Sequence, residues 1–264
     1  MEEIFKNSKK IIIKIGSSTI TGEDGKIDYE FLENLASEVK TLVGLEKQVV
    51  IVSSGARIAG VSTIEKWSKK EDMSYKQALC AIGQVELMDG YRKIFIKQGL
   101  HIAQILLTKA DLENEKRSLN VKNTLFTLIN ENVIPIINEN DTVCVDEIKI
   151  GDNDMLSART CILWGADLLI FLSDIDGIFD KNPKEFKDAK LLKYIEDIFE
   201  CEKNVSCGQK SSFGTGGIKT KIQAAKLLHP YGTNIIITKG KTPKSIIQIL
   251  EGKGVCTLIK GEKL

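Results

Sequence analysis

Histidine is almost missing from this 264-residue chain: only His101 and His229 occur, far apart, and neither heads a recognisable catalytic triad. Net charge is nearly absent too, at +1, so no overall field draws in nucleic acid or an anionic membrane. Long hydrophobic runs are lacking. The apolar stretches are strand-sized, well short of the about 20 residues a membrane span needs. The opening MEEIFKNSKK lacks the apolar centre of a signal peptide, so a cytoplasmic location is expected. The six cysteines (Cys80, Cys144, Cys161, Cys201, Cys207 and Cys256) form no C-x-x-C pair, and no histidine near Cys201 and Cys207 completes a metal site. Reduced, buried thiols are therefore expected. Asn204 opens an N-x-S triplet, a chance match without a secretion signal. No internal repeat or low-complexity linker is present.

What is present is an alternation of two periods. Hydrophobic residues make up 42% and charged residues 28%, the profile of a soluble globular enzyme of one α/β domain or two intimate lobes. KIIIKI (10–15), QVVIV (48–52), HIAQILL (101–107), VIPII (133–137), DLLIFL (167–172), NIIIT (234–238) and GVCTLI (254–259) read as strands. Between them lie helical patterns, including 28–45 with Asp28 placed to cap it, about 74–98, 119–132, 153–165, 220–228 and 243–252. Strands apolar along their whole length and separated by helices predict an α/β three-layer sandwich with a mostly parallel central sheet. Glycine and charge usage shift near 165, a soft boundary between two lobes, 1–165 and 166–264.

Ligands bind such sheets at the carboxyl ends of the strands. That rule gathers Gly16-Ser17-Ser18, Ser53-Ser54-Gly55-Ala56, an acidic loop, Ser173-Asp174-Ile175-Asp176-Gly177 and the region after 210. In IPIINENDTVCVDEIKIGDNDMLSA (134–158) an apolar run empties into six carboxylates opposed only by Lys149. A solvated loop holds such a cluster, and so does a site for an amine or a metal-bound phosphate. Lys14 interrupts an apolar strand, where an ammonium must reach water, an acid or an anion. SSFGTGGIKTK (211–221) combines glycines and lysines at a helix start, an anion-binding arrangement as well as a flexible loop. It is neither a P-loop nor a dinucleotide fingerprint. SSGA lacks the leading glycine of a hydrolase elbow, and protein-kinase signatures are absent. Two lysine-bearing glycine loops plus an acidic loop suggest a nucleotide with a magnesium ion.

The segments IIIKIGSS, VVIVSSGARIAG, IPIINENDTV, IKIGDNDMLSA, FLSDIDGIF and GTGGIKTKIQAA, in order from about Ile11 to Leu258, resemble the amino-acid kinase superfamily and, within it, the glutamate 5-kinases. The resemblance implies the amino-acid kinase fold and transfer of the ATP γ-phosphate to the side-chain carboxylate of L-glutamate, with Mg2+. Lys14 and Lys221 would stabilise the phosphoryl group and Asp154 would orient them. Ser54, Gly55, Asp141 and Asn153 would form the glutamate site. Lys14, Gly16, Ser173, Asp174, Thr215, Gly216, Gly217, Ile218, Lys219, Thr220 and Lys221 would contact the nucleotide, and Gly16 and Gly55 would let backbone approach the transferring group. No protein-bound metal site is implied. L-proline is expected as feedback inhibitor and a homo-oligomer, dimer or tetramer, as the assembly. Many bacterial members carry a C-terminal PUA domain, and this sequence stops at Leu264 without one, so the kinase domain alone is expected. The family's usual TSGA reads SSGA here, followed by Arg57, for which the residues give no account. Another acceptor, such as N-acetylglutamate, aspartate or UMP, and a non-catalytic sensor of amino acid or nucleotide are the alternatives.

Overall fold

In a strand, successive side chains point to opposite faces, so an unbroken apolar run requires cover on both. The computed structural model describes residues 2–64, 72–144, 153–204 and 217–262. It contains strands β1 (Lys10–Ile15), β2 (Gln48–Ser53), β3 (His101–Leu107), β4 (Val133–Glu139), β5 (Leu168–Ser173), β6 (Tyr194–Ile195), β7 (Asn234–Lys239) and β8 (Cys256–Ile259). They form one sheet in the order β3-β4-β2-β1-β5-β7-β8-β6. All pairings are parallel except that between β7 and β8.

The face taken by Ile11, Ile13 and Ile15 packs against Leu32, Leu35 and Val39 of helix Tyr29–Gly44, Leu87 and Tyr91 of helix Met73–Phe95, and Ile246 and Ile249 of helix Ser245–Leu250. Ile12, Val50, Val52 and Leu169 share the other face with Leu125 of helix Glu115–Asn130, Leu156 and Trp164 of helix Asn153–Trp164, and Ile222 and Leu228 of helix Ile218–Leu228. Three layers result.

The predicted strands all form, and Asp28 caps its helix by accepting a 2.9 Å hydrogen bond from the Phe31 N–H. The helix expected at about 74–98 ends at Phe95 and continues as a 3-10 turn to Gln98. The two-residue β6 and the helices Glu2–Asn7, Ser17–Ile20, Ala56–Thr63, Lys109–Glu113 and Ile198–Asn204 are additions, Ser17–Ile20 taking up part of the expected Gly16-Ser17-Ser18 loop. Each is too short to show a hydrophobic period. Cys80, Cys161, Cys201 and Cys256 are buried, but Cys144 is half-exposed, against the expectation of burial. It lies in the loop that follows β4. Cys207 lies outside the described residues. Among those residues no helix is long and apolar enough to cross a membrane.

The order places β1 at the centre, with β2 on one side and β5 on the other. The chain runs from β1 to β2, β3 and β4 on one side and then crosses to β5 on the other, so the winding reverses beside β1 and a crevice opens at the carboxyl ends of these strands. Both halves of the chain border it.

Candidate active site

Strand alternation decides where Lys14 goes. It shares the face of Ile12, beneath helices Asn153–Trp164 and Ile218–Leu228, and its neighbour in register on β5 is Phe171. Asp154 stands in the first turn of the helix above. Lys14 Nζ lies 2.6 Å from Asp154 Oδ1, and Lys221 Nζ lies 3.2 Å from Asp154 Oδ2 and 5.5 Å from the centre of the Phe171 ring. Thr220 Oγ1, which sequence reasoning linked only to the nucleotide, is 2.6 Å from Asp154 Oδ2 and 2.8 Å from the Gly217 carbonyl.

The group is buried: Lys14 is 6%, Lys221 3% and Asp154 0% exposed. Burial pushes the Asp154 carboxyl up, but the charges of Lys14 and Lys221 and the donated hydrogen bonds outweigh it, holding the group well below the usual carboxylate range. Lys221 is shifted down by burial first, with repulsion from Lys14 adding to it, while Asp154 and Asp174 oppose the shift. Two ammonium groups share one carboxylate, so the cluster keeps one formal positive charge. Helix Ile218–Leu228 adds its positive end there, for its N-cap Gly217 has no side chain to satisfy the first N–H groups. Buried like charges of this kind call for an anion.

A second cluster lies across the ends of β2 and β4. Asn153 Nδ2 donates to the Ser53 carbonyl (3.1 Å), Ser54 Oγ (2.8 Å) and Asn138 Oδ1 (3.0 Å). Asn138 Nδ2 in turn donates to Gln84 Oε1 at 2.8 Å, and the Tyr91 hydroxyl donates to Ser53 Oγ at 2.9 Å. Asp141 follows β4. Burial raises its carboxyl to about 6, against the lowering effects of a hydrogen bond from Cys80 and the charge of Arg57. Arg57 thereby acquires a physical relation that its sequence context did not suggest. Gln77 Nε2 holds the Asp141 and Thr142 carbonyls at 3.3 and 3.1 Å. Gln77, Cys80, Gln84 and Tyr91 form one stripe of helix Met73–Phe95, spaced at three, four and seven residues. Sequence reading missed that stripe because it took Ala78, Ile82, Val85, Met88 and Phe95 as the apolar face of this helix, whereas Val85 is exposed and Leu79, Leu87 and Phe95 are among the buried apolar residues. Asn138 carried a visible signal, a polar residue directly after an apolar run.

Ser173 Oγ donates to Asp174 Oδ1 (3.1 Å) at the end of β5, where the Asp174 charge acts on Lys221. Gly16 follows β1 and its N–H donates to the Leu172 carbonyl at 3.1 Å. A Cβ on Gly16 would meet only ordinary contacts, the nearest at 3.6 Å, so internal crowding does not demand glycine there. Gly55 is different: its φ of 101° is left-handed, and a Cβ would come 2.7 Å from Ile20 Cγ2, so the turn itself requires glycine. Ile218 is half-buried against the second face and Lys219 is exposed. Thr215 and Gly216, like residues 145–152 of the acidic loop, lie outside the described residues. Among the described residues no three His, Cys, Asp or Glu side chains converge as a metal site.

A model of the amino acid kinase family matches residues 9–239. The glutamate 5-kinase of Alkaliphilus oremlandii (strain OhILAs) is 54% identical over 258 residues, covering 98% of each chain. That of Alkaliphilus metalliredigens (strain QYMF) is 54% identical over 263 residues, covering 100% of each. Among solved structures, carbamate kinase from Giardia lamblia bound to AMP-PNP aligns with a TM-score of 0.68 at 16% identity, covering 97% of this chain and 100% of that chain, a likeness of fold alone. The chain belongs to the amino acid kinase family and, within it, to the glutamate 5-kinases.

Proposed function

We propose that the chain transfers the γ-phosphoryl group of ATP to the side-chain carboxylate of L-glutamate, giving glutamyl 5-phosphate for proline synthesis, in the cytoplasm. The observation that carries the mechanism is the buried Lys14–Asp154–Lys221 cluster, with one positive charge in excess. Charge on a phosphoryl group in flight spreads over its oxygens, so catalysis is mostly positioning plus cationic stabilisation. Lys14 from the first half and Lys221 from the second supply that charge. Asp154 holds both ammonium groups in place, and Thr220 fixes the carboxylate in turn. No general base is needed, because the attacking carboxylate is already ionised at neutral pH.

Residues 1–165 furnish the acceptor half and 166–264 the nucleotide half. Asp141 pairs with the ammonium of glutamate, and Ser54 and Asn153 fix its orientation beside the lysines. Gly16, Ser173, Asp174 and the first turn from Gly217 border the nucleotide, and Gly16, having no side chain, lets phosphate come close to the backbone. Magnesium, brought with ATP, would neutralise phosphate charge while coordinated mainly by phosphate oxygens and water, with the exposed carboxylate of Asp174 at the end of β5 available to its shell.

Incubation with ATP, magnesium, L-glutamate and hydroxylamine is expected to yield the γ-hydroxamate. Product with N-acetylglutamate or aspartate but not glutamate would move the assignment within the family. Glutamate and ATP binding without turnover would make the protein a sensor. Proline is expected to inhibit this assay when titrated in, and sedimentation at micromolar protein is expected to give a dimer or tetramer. Uninhibited turnover and a monomeric peak would remove those two expectations.

A further inference from the structure

Two backbone groups of known polarity determine how three buried side-chain amides are turned. The Glu139 N–H can only donate, and at 2.9 Å it donates to Asn138 Oδ1. Asn138 Nδ2 therefore faces Gln84, which must present Oε1 to accept the 2.8 Å hydrogen bond. At the other end, the Ser53 carbonyl can only accept, which orients Asn153 Nδ2 toward it. The relay leaves two groups unspent, Gln84 Nε2 and Asn153 Oδ1, both buried and without a hydrogen-bond partner among the described residues. Gln84 is 9% exposed. A buried amide donor left unmade in this way calls for a partner the protein does not itself supply.

The acceptor site borders this donor. Gln84 is two hydrogen bonds from Asn153, which donates to Ser54 Oγ. Cys80, one turn earlier on the same helix face, bonds the Asp141 carboxylate, and Gln77, one turn further, holds the Asp141 carbonyl. An amino acid with an ammonium group and two carboxylates offers an N–H donor only carboxylate oxygens. The carboxylate that receives phosphate must reach Lys14 and Lys221 beside Asp154, at the Asn153 end of the relay. Gln84 stands at the opposite end.

We propose that Gln84 is a substrate-binding residue whose Nε2 donates to the α-carboxylate of the acceptor amino acid. It fixes the end of the substrate remote from the chemistry, and it gives the site a means of rejecting amino acids whose α-carboxylate is absent or masked. The inference rests on glutamate being the acceptor.

Gln84→Glu separates this role from a purely structural one. The variant keeps an oxygen to accept from Asn138 and replaces the free donor by an acceptor. It is expected to raise the KM for L-glutamate roughly 10- to 100-fold, the scale of one buried hydrogen bond to a charged group, with the KM for ATP unchanged. L-isoglutamine, whose α-carboxamide can donate to Glu but whose γ-carboxylate is free, should lose far less. The glutamate-to-isoglutamine ratio of kcat/KM should therefore fall about tenfold or more. Gln84→Met supplies a second reading if the first variant lacks a cooperative melt. It should weaken glutamate while sparing inhibition by 4-aminobutyrate, which keeps the ammonium and one carboxylate but has no α-carboxylate. Wild-type KM in Gln84→Glu, equal losses on glutamate and isoglutamine in that variant, or equal losses of glutamate and 4-aminobutyrate in Gln84→Met would overturn the inference alone. Wild-type protein that turns over no glutamate would overturn the proposed function and this inference with it.

Discussion

Lysine in a buried strand is tolerated only with compensation, and here one carboxylate serves two ammonium groups. Removing Asp154 would leave both charges buried and unopposed, a loss of about 3–5 kcal/mol by the usual scale for breaking a buried pair. Removing either lysine leaves a matched pair and should be better tolerated by the fold than by the chemistry. Lys14→Ala and Lys221→Ala are each expected to cut kcat by roughly 10²–10³, with melting temperatures near wild type. Near-wild-type turnover in either variant would contradict the assigned roles. Asp141 gives a pH signature. Its carboxyl, raised to about 6, is neutral below that pH and cannot then pair with an ammonium. The value of kcat/KM for glutamate should therefore fall as pH drops through about 6, and the fall should disappear in Asp141→Asn. An identical acid limb in the variant would assign the titration to another group.

Helices Ala56–Thr63 and Met73–Phe95 meet through glycine. A Cβ on Gly60 would strike the Leu79 carbonyl, and one on Gly83 would strike the Ala56 carbonyl, both backbone atoms that cannot rotate away. Gly83→Ala should accordingly destabilise by about 1–3 kcal/mol or more, read as a lower denaturation midpoint at unchanged m-value. It should also raise the glutamate KM, because the displaced helix carries Gln77, Cys80 and Gln84. Unchanged stability would mean that the two helices part freely. In the sequence these glycines sit among helix-forming residues and give no hint of close approach. Boundaries of the long elements were legible because apolar spacing is set locally. The short helix Ala56–Thr63 was not, for its formation depends on the helix it packs against.

Across the whole molecule, Glu38 joins segments two hundred residues apart. Its Oε1 accepts the Ile246 and Ile247 N–H groups at 2.7 and 3.2 Å, tying helix Tyr29–Gly44 to helix Ser245–Leu250. Burial raises its carboxyl from 4.5 to about 7, against the lowering effect of those two donors. The sign follows: between those values the folded state holds a proton that the unfolded chain has released, so this group's contribution to stability declines as pH rises through the window. Glu38→Gln keeps an acceptor oxygen and has no charge to bury. Its melting temperature relative to wild type should therefore rise between pH 5 and 8, and a constant difference would sink the account. Asp154 behaves oppositely, since its carboxyl lies below 3.8. Its contribution is complete above about pH 4 and is lost on acidification through its lowered value.

By itself, the sequence determined the layered α/β architecture and the loops that could meet at the strand ends, because apolar periodicity and backbone conformation act over a few residues. Lys14 stood out for the same local reason: a charge in an apolar strand needs a partner wherever the strand ends up. Only the tertiary structure decided what that partner is, which way the amides of Gln84, Asn138 and Asn153 turn, and why Arg57 bears on Asp141. Those relations join residues from 15 to about 140 positions apart, and they arise from burial and hydrogen-bond direction, which have no period in the chain.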